Sequence, residues 1–311
     1  MDSKDRRGAA TEGVDTRMPF AGESDHYQSK ANFDDIYNQP DPRSYYRTLR
    51  VLDYEIPAHG AAAFDLLLDE MGGRAGKTML DVCCGYSANA ALLNHDIELT
   101  DLYEHYGHLS DVAADDIAEI DRRWFAERAR PDPVSVIGLD VAGDAVRYAT
   151  RVGLLDQGLV ADLEAGEPDE ETSQVLAAVD LVTVTGGIGY VGEKTFRAIV
   201  EASGDDPPWV ASLCLRWVDY TPIAEALDDL GLVTERLDGY CVPQRRFAHD
   251  EERQAALAGL HSRGLDPTPE LQLDAHCAEL YVSRPPEAAR TAAVADLLGS
   301  LTAEGSQPGS S

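Results

Sequence analysis

Basic residues are scarce in this chain: 26 Lys and Arg stand against 56 Asp and Glu among 311 residues, a formal net charge of -30. Such a surface repels phosphate backbones and anionic lipid, so neither nucleic acid nor a membrane is an expected partner. The pairs Arg122-Arg123 and Arg245-Arg246 read as solvated or salt-bridged positions. Cysteine is scarce too, five in all, without CxxC spacing and with Cys83 and Cys84 adjacent. That speaks against a disulfide framework and against a zinc site, and no metal is expected. No apolar run approaches the roughly 18 residues that a membrane span needs. The opening MDSKDRRGAATEGVD has no apolar core of a secretory leader, so a cytoplasmic location is expected. GxGxxG is absent, which disfavours a nicotinamide dehydrogenase.

What is present is ordinary globular material, 44% hydrophobic and 26% charged, enough for a sizeable core. Residues 1–24 are polar and without periodicity, and from Arg284 the chain runs through Pro285-Pro286 into a Gly/Ser/Pro-rich end. Both are expected as mobile tails (1–24 and 284–311), with a short packed helix between Ala288 and Leu301 as the alternative. Between them, β-rich runs at Thr78–Cys83, Val134–Asp140, Gly158–Ala161, Val179–Thr185 and Trp209–Trp217 alternate with helical patterns, as βαβ units do. Two later runs, Leu232–Tyr240 and His276–Ser283, suggest an antiparallel edge. The body thus spans 76–283, with a helical segment at 25–75 before it and an insertion at about 95–133 that carries an amphipathic helix with Ile117, Ile120 and Trp124 on one face.

The chemistry concentrates at strand ends. Asp81 closes an apolar strand and leads through Gly85 to a helix opening on Ser87 and Ala88, a turn in which glycine lets the backbone approach a nucleotide-like ligand. Asp140 closes the next strand, where a carboxylate can accept from both ribose hydroxyls, and Asp162 follows a third, where it can accept from an exocyclic amine.

In this order, LDVCCGYSANAALL, VIGLDVAGDAVRYA, VADLE and VDLVTVTGGIGYVG resemble four successive motifs of the class I, Rossmann-like methyltransferases that use S-adenosylmethionine (SAM). The resemblance covers about 76–283. It implies a seven-stranded, mainly parallel α/β sheet with helices on both faces and an antiparallel C-terminal edge. It further implies SAM as cofactor, with Asp81 and Gly85 by the methionine part, Asp140 on the ribose, and Asp162 with Leu163 at the adenine. Cys83, Tyr86, Val141, Thr185 and Gly186 complete the expected cofactor set. N-terminal extensions in this superfamily often form lids, and Tyr27, Phe33, Tyr37, Tyr45 and Tyr46 supply aromatic faces suited to a sulfonium. Packing of these rings against the body is the plainer role.

Three departures stand out. Cys83 and Ser87 replace the first and third family glycines. The fourth motif ends TGGIGY rather than in the Asn/Asp-Pro-Pro-Tyr string of amino methyltransferases, which disfavours amide and adenine nitrogens as acceptors. The ribose acid ordinarily follows the glycine turn by about 20 residues, whereas His95 to Pro133 separates Asp140 from it, so Asp101 in IELTD is a rival. The expected activity is methyl transfer to a small-molecule O, N or C nucleophile. Tyr190, His59 and Asp219 are candidate bases by position. SAM cyclisation with release of methylthioadenosine, and a non-catalytic SAM-binding module, remain the alternatives. Oligomeric state is open, a homodimer included.

Overall fold

The computed structural model describes residues 34–37 and 39–304. The expected tail 1–24 and the lid candidates Tyr27 and Phe33 lie outside the described residues. Three helices come first, α1 (Asp34–Tyr37), α2 (Arg43–Arg50) and α3 (Ile56–Glu70), and lead to β1 (Thr78–Val82). After α4 (Ala88–Asn94), the insertion supplies α5 (Leu99–His108) and α6 (Ala114–Ala126). Strands and helices then alternate through β2 (Ser135–Asp140), α7 (Gly143–Val152), β3 (Gln157–Val160), α8 (Glu170–Leu176), β4 (Leu181–Thr185), α9 (Glu193–Ala202), β5 (Trp209–Leu215) and α10 (Thr221–Asp229). β6 (Val233–Arg236), β7 (Val242–Arg246), α11 (Asp250–Ser262), α12 (Thr268–Leu273) and β8 (Ala275–Arg284) follow, and α13 (Pro286–Thr291), α14 (Val294–Leu297) and α15 (Gly299–Glu304) close the described chain.

The sheet order is β3-β2-β1-β4-β5-β8-β6, with β1 to β5 parallel and β8 antiparallel to its neighbours. Successive strand residues serve opposite faces. Met79 and Leu181 join one buried cluster with α3, α4 and α7, while Leu80 and Val182 join another with α9 and α10. This is the expected Rossmann-like α/β layering, with one correction: eight strands, not seven. The edge run expected over Leu232–Tyr240 stops at Arg236 and resumes as β7. Both pieces pair with β8 on the side away from β5, since Ala278 faces Leu215 on one side and Val242 on the other. The start of β8 and its partner β7 extend beyond the end of β5, on the side where the parallel strands terminate.

Residues 97–101 form no strand. Glu98 and Asp101 make a reciprocal capping box at the start of α5, the Glu98 N–H donating to Asp101 Oδ2 at 2.8 Å, which removes the rival ribose acid. α6 buries Ile117, and behind it the wholly buried Asp121 accepts from His105 Nε2 (2.7 Å), Tyr106 OH (2.7 Å) and Tyr148 OH (2.5 Å). Those bonds tie the insertion to α7. Toward α2, Arg43 binds Asp41 through two nitrogens and donates to the Leu109 and Val112 carbonyls (3.1 and 2.7 Å), while Tyr46 stacks on Tyr106. The C-terminal segment also differs from a mobile tail as far as Glu304. It carries three short helices and buries Val294, Leu298 and Leu301, because its apolar positions find the body. Among the described residues no helix is long and apolar enough to cross a membrane.

Candidate functional site

The carboxyl ends of β1, β2 and β4 converge on the turn after β1. That turn holds three left-handed residues in alternation, Cys83 (φ 57°), Gly85 (φ 51°) and Ser87 (φ 59°). Cys83 and Ser87 thus stand in the left-handed region that glycine adopts most readily. The two side chains adopt a conformation that costs non-glycine residues about 1–2 kcal/mol, strain of the kind found at ligand sites. Gly85 is needed for a second reason: a Cβ there would stand 2.8 Å from the Tyr37 ring, which rests on the turn. Tyr86 points away from this surface and is buried. Its hydroxyl donates to the Gln39 carbonyl (2.8 Å) and accepts from the Gln39 N–H (3.2 Å), pinning the segment after α1 over the turn.

Asp140 accepts from the Gly85 N–H and the Ala142 N–H, both at 2.8 Å, one on each carboxylate oxygen. Burial raises its pKa, and the N–H bonds from Ala142, Gly85 and Val141 oppose the rise. A carboxylate offers about four lone-pair sites, so the two engaged oxygens keep capacity for hydroxyl donors. Val141 and Val160 beside it are exposed apolar residues at the ends of β2 and β3. Asp162 Oδ1 closes the turn after β3, accepting from the Glu164 and Ala165 N–H groups (3.0 and 3.1 Å), and Leu163 is buried. Glu164, which sequence reading missed, accepts from the Gly192 and Thr195 N–H groups and the Thr195 hydroxyl, fixing the loop after β4 against the loop after β3.

Asp81 is buried, and its Oδ1 accepts from Asn89 Nδ2 (2.8 Å) and Thr183 Oγ1 (3.1 Å). The same Asn89 nitrogen reaches Thr185 Oγ1 at 2.9 Å. Burial raises the Asp81 pKa to about 7 against these hydrogen bonds, and the nearby Asp140 charge adds to the rise. Asp81 Oδ2, Asn89 Oδ1, Gln244 Oε1 and His59 Nε2 are buried without a hydrogen-bond partner. Buried polar atoms are nearly always paired, so such a group calls for an explanation. Asn89 and Gln244 were not singled out from the sequence. Asn89 had a visible signal, a polar residue in the otherwise apolar helix ANAALLN; Gln244, in VPQRR, had none.

α3 brings His59 to this region because Gly60 packs on Thr185, where a Cβ would come within 2.6 Å of the Thr185 methyl. Burial lowers the His59 pKa. Gly186 (φ 74°) lies under the Gln244 amide, whose nitrogen would stand 2.3 Å from a Cβ built there. Of the lid residues, Tyr37 lies over the turn, and its pKa is pushed up by burial and by Tyr54, Asp140, Tyr190 and Cys83, groups that it therefore neighbours. Tyr45 packs edge-on behind it, 5.3 Å between ring centroids. Tyr46 stacks on Tyr106 and so packs α2 against the insertion. Asp219 is engaged at the start of α10. Its Oδ1 accepts from the Thr221 N–H and hydroxyl at the start of α10 and meets Arg263 at 3.0 Å. Burial would raise its pKa, but these donors hold it below the usual value, a poor setting for a base. Arg245, expected as a solvated or salt-bridged position, is the second: it is buried and paired with Glu252 (2.5 and 2.9 Å).

No protein-family model and no curated protein matches the sequence. Among solved structures, the chain is similar to a TehB-like SAM-dependent methyltransferase from Corynebacterium glutamicum (11% identity, 70% of this chain and 85% of that one, TM-score 0.35). It is also similar to a SAM-dependent methyltransferase from Aquifex aeolicus (14% identity, 82% and 100%, TM-score 0.35). A third is a cyclopropane-fatty-acyl-phospholipid synthase-like protein from Lactobacillus casei (11% identity, 74% and 91%, TM-score 0.38).

Proposed function

We propose that the chain is a SAM-dependent methyltransferase acting on a small molecule. The observation that carries this is the pair of orphaned acceptors, Asp81 Oδ2 and Asn89 Oδ1, held together by the Asn89–Asp81 bond at the end of β1. Two buried acceptors, one on a carboxylate, call for a charged donor, and the ammonium of a methionine moiety is such a donor. The remaining surfaces fit the same ligand in order. Asp140 stands ready for ribose hydroxyls, and the exposed Val141 and Val160 offer apolar surface to a purine. Bound SAM would supply a methyl group carried on an electrophilic sulfonium.

The chain's own part is alignment, exclusion of water and handling of one proton. Tyr37 and the Gln39–Tyr86 clasp close the turn from above, which suits an acceptor small enough to be enclosed. Burial keeps His59 neutral at pH 7 and leaves its Nε2 without a partner, so it can take a proton from an oxygen or nitrogen nucleophile. Tyr190, beside Tyr37, is then a positioning group. A cytoplasmic location and an acidic surface that avoids nucleic acid complete the reading; a homodimer stays admissible.

Titration calorimetry with SAM tests the cofactor. Asp140→Ala should weaken binding by about 1–3 kcal/mol through loss of charge-assisted hydrogen bonds, and wild-type protein that binds neither SAM nor its demethylated product would end the proposal. Methylthioadenosine released from SAM without acceptor would replace methyl transfer by cyclisation. If His59 is the base, turnover should rise with pH along a limb whose midpoint lies below the ordinary histidine value of 6.5, because its folded pKa is lowered. A profile in His59→Gln that keeps this limb assigns the proton to another group.

A further inference from the structure

β7 pairs with β8 out of register at one point: Pro243 faces Cys277 and Arg245 faces His276, so Gln244 is the extra residue of a β-bulge. A bulge re-aims the side chain that it carries. Here it turns Gln244 out of the strand pair and onto Gly186 at the end of β4, although β5 and β8 lie between β4 and β7 in the sheet. The backbone around the bulge is held from both directions. The Glu55 N–H donates to the Gln244 carbonyl (2.9 Å), the Arg246 N–H donates to the Leu52 carbonyl (2.7 Å), and the neighbouring Arg245 is locked to Glu252. Gln244 is 4% exposed, yet its Oε1 has no donor. The bulge and the fixed backbone bring the amide over Gly186, with its nitrogen toward the glycine, and leave Oε1 where nothing in the described chain answers it.

We propose that Gln244 is the specificity-determining residue for the methyl acceptor, its Oε1 receiving a hydrogen bond from an O–H or N–H group carried by that acceptor. This rests on the methyltransferase reading and narrows it: the acceptor carries a donor near the reacting atom, and its methylated or deoxy analogue is rejected because it leaves Oε1 buried and unpaired. The element that carries the residue is the continuation of the edge strand beyond its expected end, so the selectivity belongs to this chain's own elaboration of the sheet.

Two measurements decide it. In the ligand-free protein, Gln244→Met exchanges an unpaired acceptor for an apolar side chain of similar volume and should raise the thermal midpoint by about 2–4 °C. An unchanged or lowered midpoint overturns the proposal, because it shows that the amide is already satisfied. In a screen of hydroxyl and amine compounds with radiolabelled SAM, any acceptor found should lose about tenfold or more in kcat/KM with Gln244→Met. Gln244→Glu, which keeps an acceptor atom in place, should restore most of that loss, and affinity for the demethylated cofactor should stay unchanged in both variants. Equal kcat/KM in all three proteins overturns the proposal. Failure of the wild type to bind cofactor would instead sink the methyltransferase reading, while the midpoint comparison would still report on Gln244.

Discussion

Arg245→Ala should destabilise the protein by about 3–5 kcal/mol, the cost of leaving a buried carboxylate without its partner. Arg245, Glu252 and His276 are each no more than 2% exposed and form one network. Glu252 accepts from Arg245 through both oxygens and from the Ala248 N–H (2.7 Å), and lies 3.3 Å from His276 Nε2. Trp217 Nε1 donates to His276 Nδ1 at 3.1 Å, so the ring proton sits on Nε2, toward Glu252. Burial alone would raise the Glu252 pKa, but hydrogen bonds from His276 and Arg245 and the Arg245 charge carry it far below the usual carboxylate range. The sign of the pH dependence follows. A depressed folded pKa contributes stability above the unfolded value of 4.5, and that contribution is lost as pH falls below it. Without Arg245, burial dominates and Glu252 takes up a proton readily, so the variant's deficit should shrink as pH falls from 7 to 4. Chemical denaturation at several pH values measures this, and a deficit independent of pH would show that the pairing is not its source. A double replacement, Arg245→Met with Glu252→Leu, should recover most of the loss, since well-packed apolar groups often match a buried ion pair.

That network also shows what the sequence conveyed and what it withheld. The parallel strands were legible because β1, β2 and β4 are short β-rich runs that end in or near polar residues, and alternation assigns their two faces. The places of Asp81, Gly85, Asp140 and Asp162, at strand ends and in the turn after β1, were legible from their order. Gln244 and Arg245 were not, because VPQRR reads as polar surface; their burial arises only when β7 folds against β8, α11 and the start of α3, all contacts between distant parts of the chain. Asp219 shows the complementary case. Its place after a strand fits a base, but a nearer use, accepting from the Thr221 N–H and hydroxyl at the start of α10, takes its oxygen. The choice between Asp101 and Asp140 turned on local chemistry that was present in the sequence: an acid three residues after Glu98 is a helix-start pattern, and the structure uses it so.

Asp81→Asn should separate stability from cofactor affinity. The folded pKa of about 7 lies above the ordinary 3.8, so between those values the folded protein keeps a proton that the unfolded chain releases. Stability contributed by Asp81 is thus full below about pH 4 and declines as pH rises to 7. Each pK unit corresponds to about 1.4 kcal/mol, so the ligand-free variant should be more stable than wild type by on the order of 2–4 kcal/mol at pH 8, with little difference at pH 4. Binding should move the other way. A cationic ammonium at Oδ2 favours the ionised carboxylate, so cofactor affinity in the wild type should climb as pH rises from 5 and level off above 7, with a proton released on binding at the lower pH. In Asp81→Asn that climb should vanish and affinity at pH 8 should drop well below wild type. Calorimetry in two buffers of different ionisation enthalpy counts the released proton directly. Affinity that is flat with pH in the wild type would mean that Asp81 is already ionised, or that no cation docks at Oδ2. The second outcome would remove the observation on which the cofactor assignment stands, whereas a climb in the wild type that the asparagine variant loses would tie the orphaned oxygen to the ligand's charge.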